Sequence, residues 1–248
     1  MGAWTVRRVG LIGVVALVVA VNSLLPASVV PVAATARSDA AWDLRPSILP
    51  KLIPFPDLRK DQMAAYSKRH SGSWGWRLDQ HAVIVEHLTG GRSLERAWNT
   101  FAANERHLGE KPGVCAHFLI DTDGTIYQLA DLGVRCRHTI GLDDVAIGIE
   151  HVGTSAKSVL RNAAMMRASL RLTLWLMASQ RIGVGEVIGH AESLKSPYHH
   201  ERYRDWACMT APDLGHRDMR TYRGLLRDLA RANGVPIGPR PTWVQPRC

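Results

Sequence analysis

Three ionisable residues of this 248-residue chain share one local setting, each lying beyond a short apolar run. His87 comes after Ala82-Val-Ile-Val85, Glu150 after Ala146-Ile-Gly-Ile149, and His190 after Val187-Ile-Gly189. Two imidazoles and a carboxylate are the materials of metal-assisted hydrolysis. Catalytic zinc takes three protein ligands, histidine most often among them, and keeps a further position for water. A carboxylate beside the ion can then take a proton from that water. Singly, each residue says little: a histidine at a strand end is usually a hydrogen-bonded structural group, and a glutamate there a solvated terminus. It is the coincidence of the three that points to chemistry.

The three side chains meet only if their runs are neighbouring parallel strands, because ligand sites in such sheets collect at the carboxyl ends of the strands. The runs at 82–86, 146–149 and 187–188 are short, apolar and rich in β-branched residues, as buried strands are. Residues 116–120 and 125–129 flank Asp121-Thr-Asp-Gly124, a hairpin signal. Helical patterns separate these strands. Residues 57–70 make one helix, ending near Gly72. Ser93 caps another, with Leu94, Ala97, Trp98, Phe101 and Ala102 at helical spacing and a stop at Gly109. One long helix runs from about Ser158 to Gly183, with Ala163, Met166, Leu170, Leu174 and Met177 inward. The last helix starts at Asp218, carries Met219, Tyr222, Leu225, Leu226 and Leu229 on one face, and closes at Asn233-Gly234. Alternating strands and helices with one hairpin predict an α/β fold, a single domain with a central mixed β-sheet flanked by helices. That domain spans 58–233, after an extended, proline-containing lead-in at 37–57 and before an irregular tail at 234–248. There is no internal repeat.

The first 36 residues are of another kind. Arg7 and Arg8 precede an apolar run from Val9 to Val21, and Ala34-Thr-Ala36 then offers a small-residue cleavage site. This is the anatomy of a signal peptide, and the run is short of the roughly 20 residues that span a bilayer. The reading is export followed by cleavage. Removal of the two arginines lowers the net charge from +9 to +7. A basic protein is drawn to polyanions, but no RNA-recognition or zinc-finger spacing is present, and the charge is equally consistent with mere solubility. The cysteines, Cys115, Cys136, Cys208 and Cys248, all follow the signal, which suggests two disulfides in an oxidising compartment. Cys115 and Cys136 bracket the hairpin and are expected to pair, leaving Cys208 with Cys248.

Four ordered segments carry a resemblance. Val83-Ile-Val-Glu-His-Leu-Thr89, the stretch from Ala116 to Leu129 that contains the hairpin, Ile147-Gly-Ile-Glu-His-Val-Gly153 and Val187-Ile-Gly-His190 resemble the N-acetylmuramoyl-L-alanine amidase family, which is shared with peptidoglycan recognition proteins and phage lysozyme-like amidases. Order and rough spacing match from about Val83 to Leu229. The lead-in Ile53-Pro-Phe55 and the stretch from Met63 to His70 resemble a bacterial branch of that family. The resemblance implies an amidase/peptidoglycan-recognition-protein-like fold, with zinc held by His87 and His190 and Glu150 as the carboxylate that activates water. The third ligand in the family is an Asp or Cys in a short motif after the second histidine. Here that motif reads Pro212-Asp-Leu-Gly215, which gives Asp213, with His199, His200 and His216 as rivals. Many relatives carry a lysine two residues before this ligand, where the chain has Ala211. His138 matches a position near the family's cleft. It is expected to donate to the tetrahedral oxyanion, the other role open to it being support of a ligand from behind. Thr89 and Asn99 are expected to wall the substrate groove. His117, inside a strand, is expected to be a packed, hydrogen-bonded histidine. Pro197-Tyr-His-His-Glu201 is read as a loop beside the cleft, and Arg161, Arg167 and Arg171 as solvated surface.

The function so implied is zinc-dependent hydrolysis of the amide between N-acetylmuramic acid and L-alanine, on peptidoglycan or a muropeptide. The protein would be a secreted, cell-wall-associated monomer, bound neither to nucleic acid nor, once the signal is removed, stably to a membrane. Two rivals come from other classes. One is a peptidoglycan-binding module of the same fold without turnover. The other is a metal-free glycan hydrolase using paired carboxylates such as Asp144 and Glu150.

Overall fold

Six strands lie in one mixed sheet in a computed structural model that describes residues 43–246 other than Asp79. The expected signal peptide, the start of the lead-in and Cys248 fall outside the described residues. In chain order the main elements are β1 (Leu49–Pro50), α1 (Asp57–His70), β2 (Val83–Leu88), α2 (Leu94–Ala103), β3 (Phe118–Ile120), β4 (Ile126–Gln128), β5 (Ala146–His151), α3 (Ala156–Leu160), α4 (Ala163–Gln180), β6 (Val187–Gly189) and α5 (His216–Ala232). The strand order is β1-β4-β3-β5-β2-β6. Only the β3–β4 hairpin is antiparallel; β3, β5, β2 and β6 run parallel to one another, as does β1 to β4. The expected α/β class and mixed sheet are what the chain forms.

The central strands are apolar because parallel strands are covered on both faces. Alternation sorts their side chains. Ile84, Ile147, Ile149 and Val187 face the main core with α4 and α5, whereas Val83, Val85, Ala146 and Ile188 form a second, smaller cluster on the other face. The helical face also carries a buried polar chain. His151 Nδ1 donates to the His87 carbonyl at 2.8 Å, and its Nε2 meets the Ser169 hydroxyl at 2.8 Å. The Tyr222 hydroxyl lies 2.7 Å from Ser169 Oγ and 2.8 Å from Thr173 Oγ1, and Thr173 donates to Glu86 Oε1 at 2.9 Å. Helices α4 and α5 are thereby tied to the two central strands.

Several boundaries differ from expectation. His87 and Glu150 sit inside β2 and β5 rather than beyond them. The helix expected from Ser158 is two helices: α3 ends at Leu160, and the Asn162 side chain accepts the backbone N–H groups of Ala164 and Met165 to start α4 afresh. Ser93 caps α2 by accepting from Arg96 N, as expected, but the helix ends at Asn104, whose left-handed backbone stops it before Gly109. Helix α5 begins two residues ahead of Asp218, whose carboxylate accepts from Gly215 N at 3.2 Å. Cys115 and Cys136 are bonded, with Cα atoms 5.2 Å apart. No described cysteine is free, and the expected partner of Cys208 lies outside the described residues. No described helix is long and apolar enough to cross a membrane.

Candidate metal centre

Strand register explains how residues 87, 150 and 190 come together. His87 is the direct partner of Glu150 across the β2–β5 pair, so their side chains share a face. Glu86 is the partner of Gly189 across β2–β6, which brings His190, one step on, level with His87. All three therefore stand in a row at the carboxyl ends of adjacent parallel strands, on the face turned away from α4 and α5. The ring centroids of His87 and His190 are 4.7 Å apart.

Asp213 reaches this row from the loop before α5. Its Oδ1 lies 3.4 Å from His190 Nδ1 and its Oδ2 3.6 Å from His87 Nδ1. The loop is pinned from both sides: Asp213 Oδ2 accepts from Leu88 N at 3.2 Å, and the Asp213 carbonyl accepts from Ala191 N at 3.1 Å. Gly189 permits this approach, since a Cβ there would stand 1.7 Å from the Leu214 carbonyl oxygen. Thr210 adds a bond to the His190 carbonyl at 2.9 Å. Beneath the site Glu192 is buried, accepting from Gly189 N and held by two bonds from Arg223 at 2.6 and 2.8 Å.

Among the described residues His87, His190 and Asp213 form the one cluster able to hold a metal ion, with donor atoms all within 4.8 Å of each other. Tetrahedral zinc with bonds of about 2.0–2.2 Å sets its ligand atoms roughly 3.4 Å apart; each Asp213 oxygen lies near that distance from a different imidazole, Oδ1 3.4 Å from His190 and Oδ2 3.6 Å from His87. The rival histidines lie elsewhere. His216 faces Glu192 at 2.8 Å, His199 packs against Gly141, and the His200 backbone donates to the Gly141 carbonyl.

Electrostatics follow from burial. Desolvation pushes the Glu150 carboxyl up to about 7, with Asp213 acting in the same direction and His87 opposing, and Glu150 Oε2 is buried with no hydrogen-bond partner. Burial and the neighbouring His87 lower His190 to about 3, against the pull of Asp213, favouring the neutral imidazole that binds metals. Burial alone would lower His87, but the hydrogen bond to Asp213 and the nearby carboxylates carry it above its ordinary value.

His138 lies behind His87. Its Nε2 donates to the Ala146 carbonyl at 3.2 Å, which leaves Nδ1 as acceptor, 3.2 Å from His87 Nε2 and 2.8 Å from the Thr139 hydroxyl. Both nitrogens are engaged within the protein. Of its two expected roles, the contacts with His87, Thr139 and Ala146 are those that support of a ligand from behind would need. Thr139 was not singled out in the sequence, and the Asx-like signal that holds it, Asp143 accepting from the His138 and Thr139 backbones at 2.8 and 2.7 Å, spans only five residues. Thr89 directly follows β2 and its hydroxyl accepts from Gly91 N and Gly153 N, both at 3.3 Å, joining two loops at the rim. Asn99 stands on the exposed face of α2. His117 is packed as expected, accepting from Gly148 N at Nδ1 and donating to the Val134 carbonyl. Arg161, Arg167 and Arg171 are exposed. Asp144 lies in the turn before β5 and Glu150 near its far end, with Ala146 to Glu150 alone spanning about 13 Å at roughly 3.3 Å per residue; paired glycosidase carboxylates stand about 5–9.5 Å apart.

No curated protein matches the chain. Among solved structures it is similar to N-acetylmuramoyl-L-alanine amidase LysC from Clostridium intestinale, at 20% identity over 59% of this chain and 83% of that one, with a TM-score of 0.44. It is also similar to the PlyG catalytic domain (14%, 78% and 99%, TM-score 0.46) and to PGRP-Hd from Alvinella pompejana (20%, 58% and 85%, TM-score 0.40). The sequence profile described as N-acetylmuramoyl-L-alanine amidase matches residues 78–209, ending just short of Asp213. That span takes in three of the four residues in the row and its loop, as well as more than half of the sequence, and the chain belongs to the N-acetylmuramoyl-L-alanine amidase family.

Proposed function

We propose that the chain is a secreted, monomeric, zinc-dependent hydrolase of the amide between N-acetylmuramic acid and L-alanine in peptidoglycan. Family membership supports amidase activity on peptidoglycan. The zinc reading is carried by one observation: two imidazoles and a carboxylate offer donor atoms within 4.8 Å, beside a buried Glu150 oxygen that has no partner.

His87, His190 and Asp213 would hold the ion. When bound, zinc supplies a Lewis acid that polarises the carbonyl and makes an adjacent water more acidic. Glu150, level with His87 and held protonatable near neutral pH by burial, accepts a proton as water attacks the carbonyl carbon. It then delivers that proton to the alanine nitrogen as the C–N bond breaks. His138 is a positioning residue: its Nδ1, facing His87 Nε2, keeps the other nitrogen of His87 turned to the centre. Thr89 is proposed to shape the rim of the groove and Asn99 a more distant part of it.

A second reading, recognition without turnover, is favoured by Ala211, which puts no cation where many relatives have one. Digestion of purified wall separates the two. Wild type is expected to release N-terminal alanine, to lose activity to a chelator and to regain it with zinc. Glu150→Gln is expected to keep its metal while its rate falls by about 10²–10⁴-fold. Equal release by both proteins removes Glu150 as base, activity indifferent to chelator removes zinc, and metal binding without any release by wild type establishes the second reading.

A further inference from the structure

The segment after α5 lies along the protein rather than away from it. Val184 N donates to the Ile237 carbonyl at 2.9 Å and Val244 N to the Lys195 carbonyl at 3.0 Å. Gly185 is pressed so closely that a Cβ would meet Pro241 N at 2.9 Å. Between this tail and α5 a groove of about 460 Å³ remains. Three arginines line it, Arg227 and Arg231 from the helix and Arg240 from the tail, and its other lining residues are glycine, proline and aliphatic. No carboxylate lines it. Arg231 has an exposed pair with Asp228 at 3.3 Å, but among the described residues Arg227 and Arg240 have no carboxylate partner. Like charges gathered around one cavity repel, and an anionic ligand removes that cost.

The ligand's form follows from the spacing. Arg227 and Arg231 are one helical turn apart, about 6 Å along the axis, so they meet successive charges rather than one ion. Guanidinium groups also approach from two walls. A phosphodiester offers oxygens toward both walls, whereas a carboxylate presents its pair along one edge, matched by a single planar fork. We propose that this groove binds a linear phosphodiester polymer through Arg227, Arg231 and Arg240. It flanks Gly185, before β6, while His190 follows β6, whose three residues set them about 10 Å apart along the strand direction. Polymer held there leaves the metal centre open. The proposal is independent of amide hydrolysis, since binding requires no turnover.

The test titrates the purified chain with poly(glycerol phosphate) and with polyglutamate of equal charge number, across 50 to 200 mM salt. The phosphopolymer is expected to bind with a salt slope near 2, at about 0.7 per contacted phosphate. Combined Arg227→Gln, Arg231→Gln and Arg240→Gln is expected to weaken binding at least tenfold and flatten that slope, with melting temperature and zinc affinity unchanged. A control, Arg161→Gln, Arg167→Gln and Arg171→Gln, removes the same charge elsewhere and is expected to bind like wild type. If the triple variant does not fold, Arg240→Gln alone, on the exposed tail, serves with an expected loss of about threefold. Wild-type binding by the groove variant, an equal loss in the control, or equal binding of polyglutamate overturns the proposal.

Discussion

Gly189→Ala tests whether the Asp213 loop is set by contact with the strand beneath it. The backbone of Gly189 is ordinary extended chain, so alanine meets no conformational penalty there; the obstacle is space. A Cβ at 1.7 Å from the Leu214 oxygen must gain about 1.7 Å to reach an ordinary contact, and the loop, rather than the hydrogen-bonded strand, is the part that must yield. A shift of that size breaks the Ala191 N–Asp213 carbonyl bond and the Leu88 N–Asp213 Oδ2 bond, now 3.1 and 3.2 Å. At about 1 kcal/mol for the neutral bond and about 2 for the one to a carboxylate, roughly 3 kcal/mol of ordering is lost, equivalent to about 10²-fold. The loss is expected in zinc affinity, read by competition with a chromophoric chelator, with far-ultraviolet circular dichroism unchanged. Amide release at limiting zinc should fall by the same factor and recover in excess metal. A variant that binds zinc as tightly as wild type would refute the reasoning, because Asp213 would then owe nothing to the Gly189 contact.

Three further outcomes are expected. Arg223→Met strands the buried Glu192 carboxylate and should cost about 3–5 kcal/mol in urea unfolding, most of it restored by adding Glu192→Gln; a loss under 1 kcal/mol would show that solvent reaches Glu192. Replacing both Cys115 and Cys136 by Ser opens a loop with a sequence separation of 21 and should lower stability by about 3 kcal/mol, a difference that vanishes when wild type is measured in reductant. His117 is buried and neutral, its pKa lowered to about 4 by desolvation, so the unfolded chain takes up a proton that the folded chain refuses between pH 6.5 and 4. Its contribution is complete above pH 6.5 and falls by about 3 kcal/mol on acidification to pH 4; His117→Gln should show a correspondingly shallower decline, and an identical one would mean that His117 protonates in place.

The sequence disclosed the site better than it disclosed the elements that hold it. Val83–Val85, Ala146–Ile149 and Val187–Ile188 read as strands because burial on two faces demands apolar, β-branched side chains, and the residues after them were candidates for that reason alone. Glu86, His87, Glu150 and His151 looked like strand ends because they are polar, yet they lie within strands and are buried; Glu86, His87 and His151 have long-range partners that no local pattern encodes, whereas Glu150 Oε2 has none. Asn162 carried a cap signal inside an apolar period that masked it. The position of Asp213 depends on a carbonyl seated on Gly189, a contact between segments 25 residues apart. Likewise the contacts of His138 turn on which nitrogen faces Ala146, a matter of orientation rather than of residue type.

The hydroxyl chain beneath the sheet has a bearing on how such sequences can drift. Because His151 gives its Nδ1 proton to the His87 carbonyl, its other nitrogen must receive one, so Ser169 is committed as donor there; Thr173 is likewise committed to Glu86. Tyr222 is left with one proton between two oxygens that have already spent theirs. Exchange of any single member for an apolar residue orphans its neighbour in a place water does not reach, whereas exchange of the whole set need not. Positions 86, 151, 169, 173 and 222 are thus expected to change in lockstep among descendants of this chain, as one epistatic block spanning two strands and two helices.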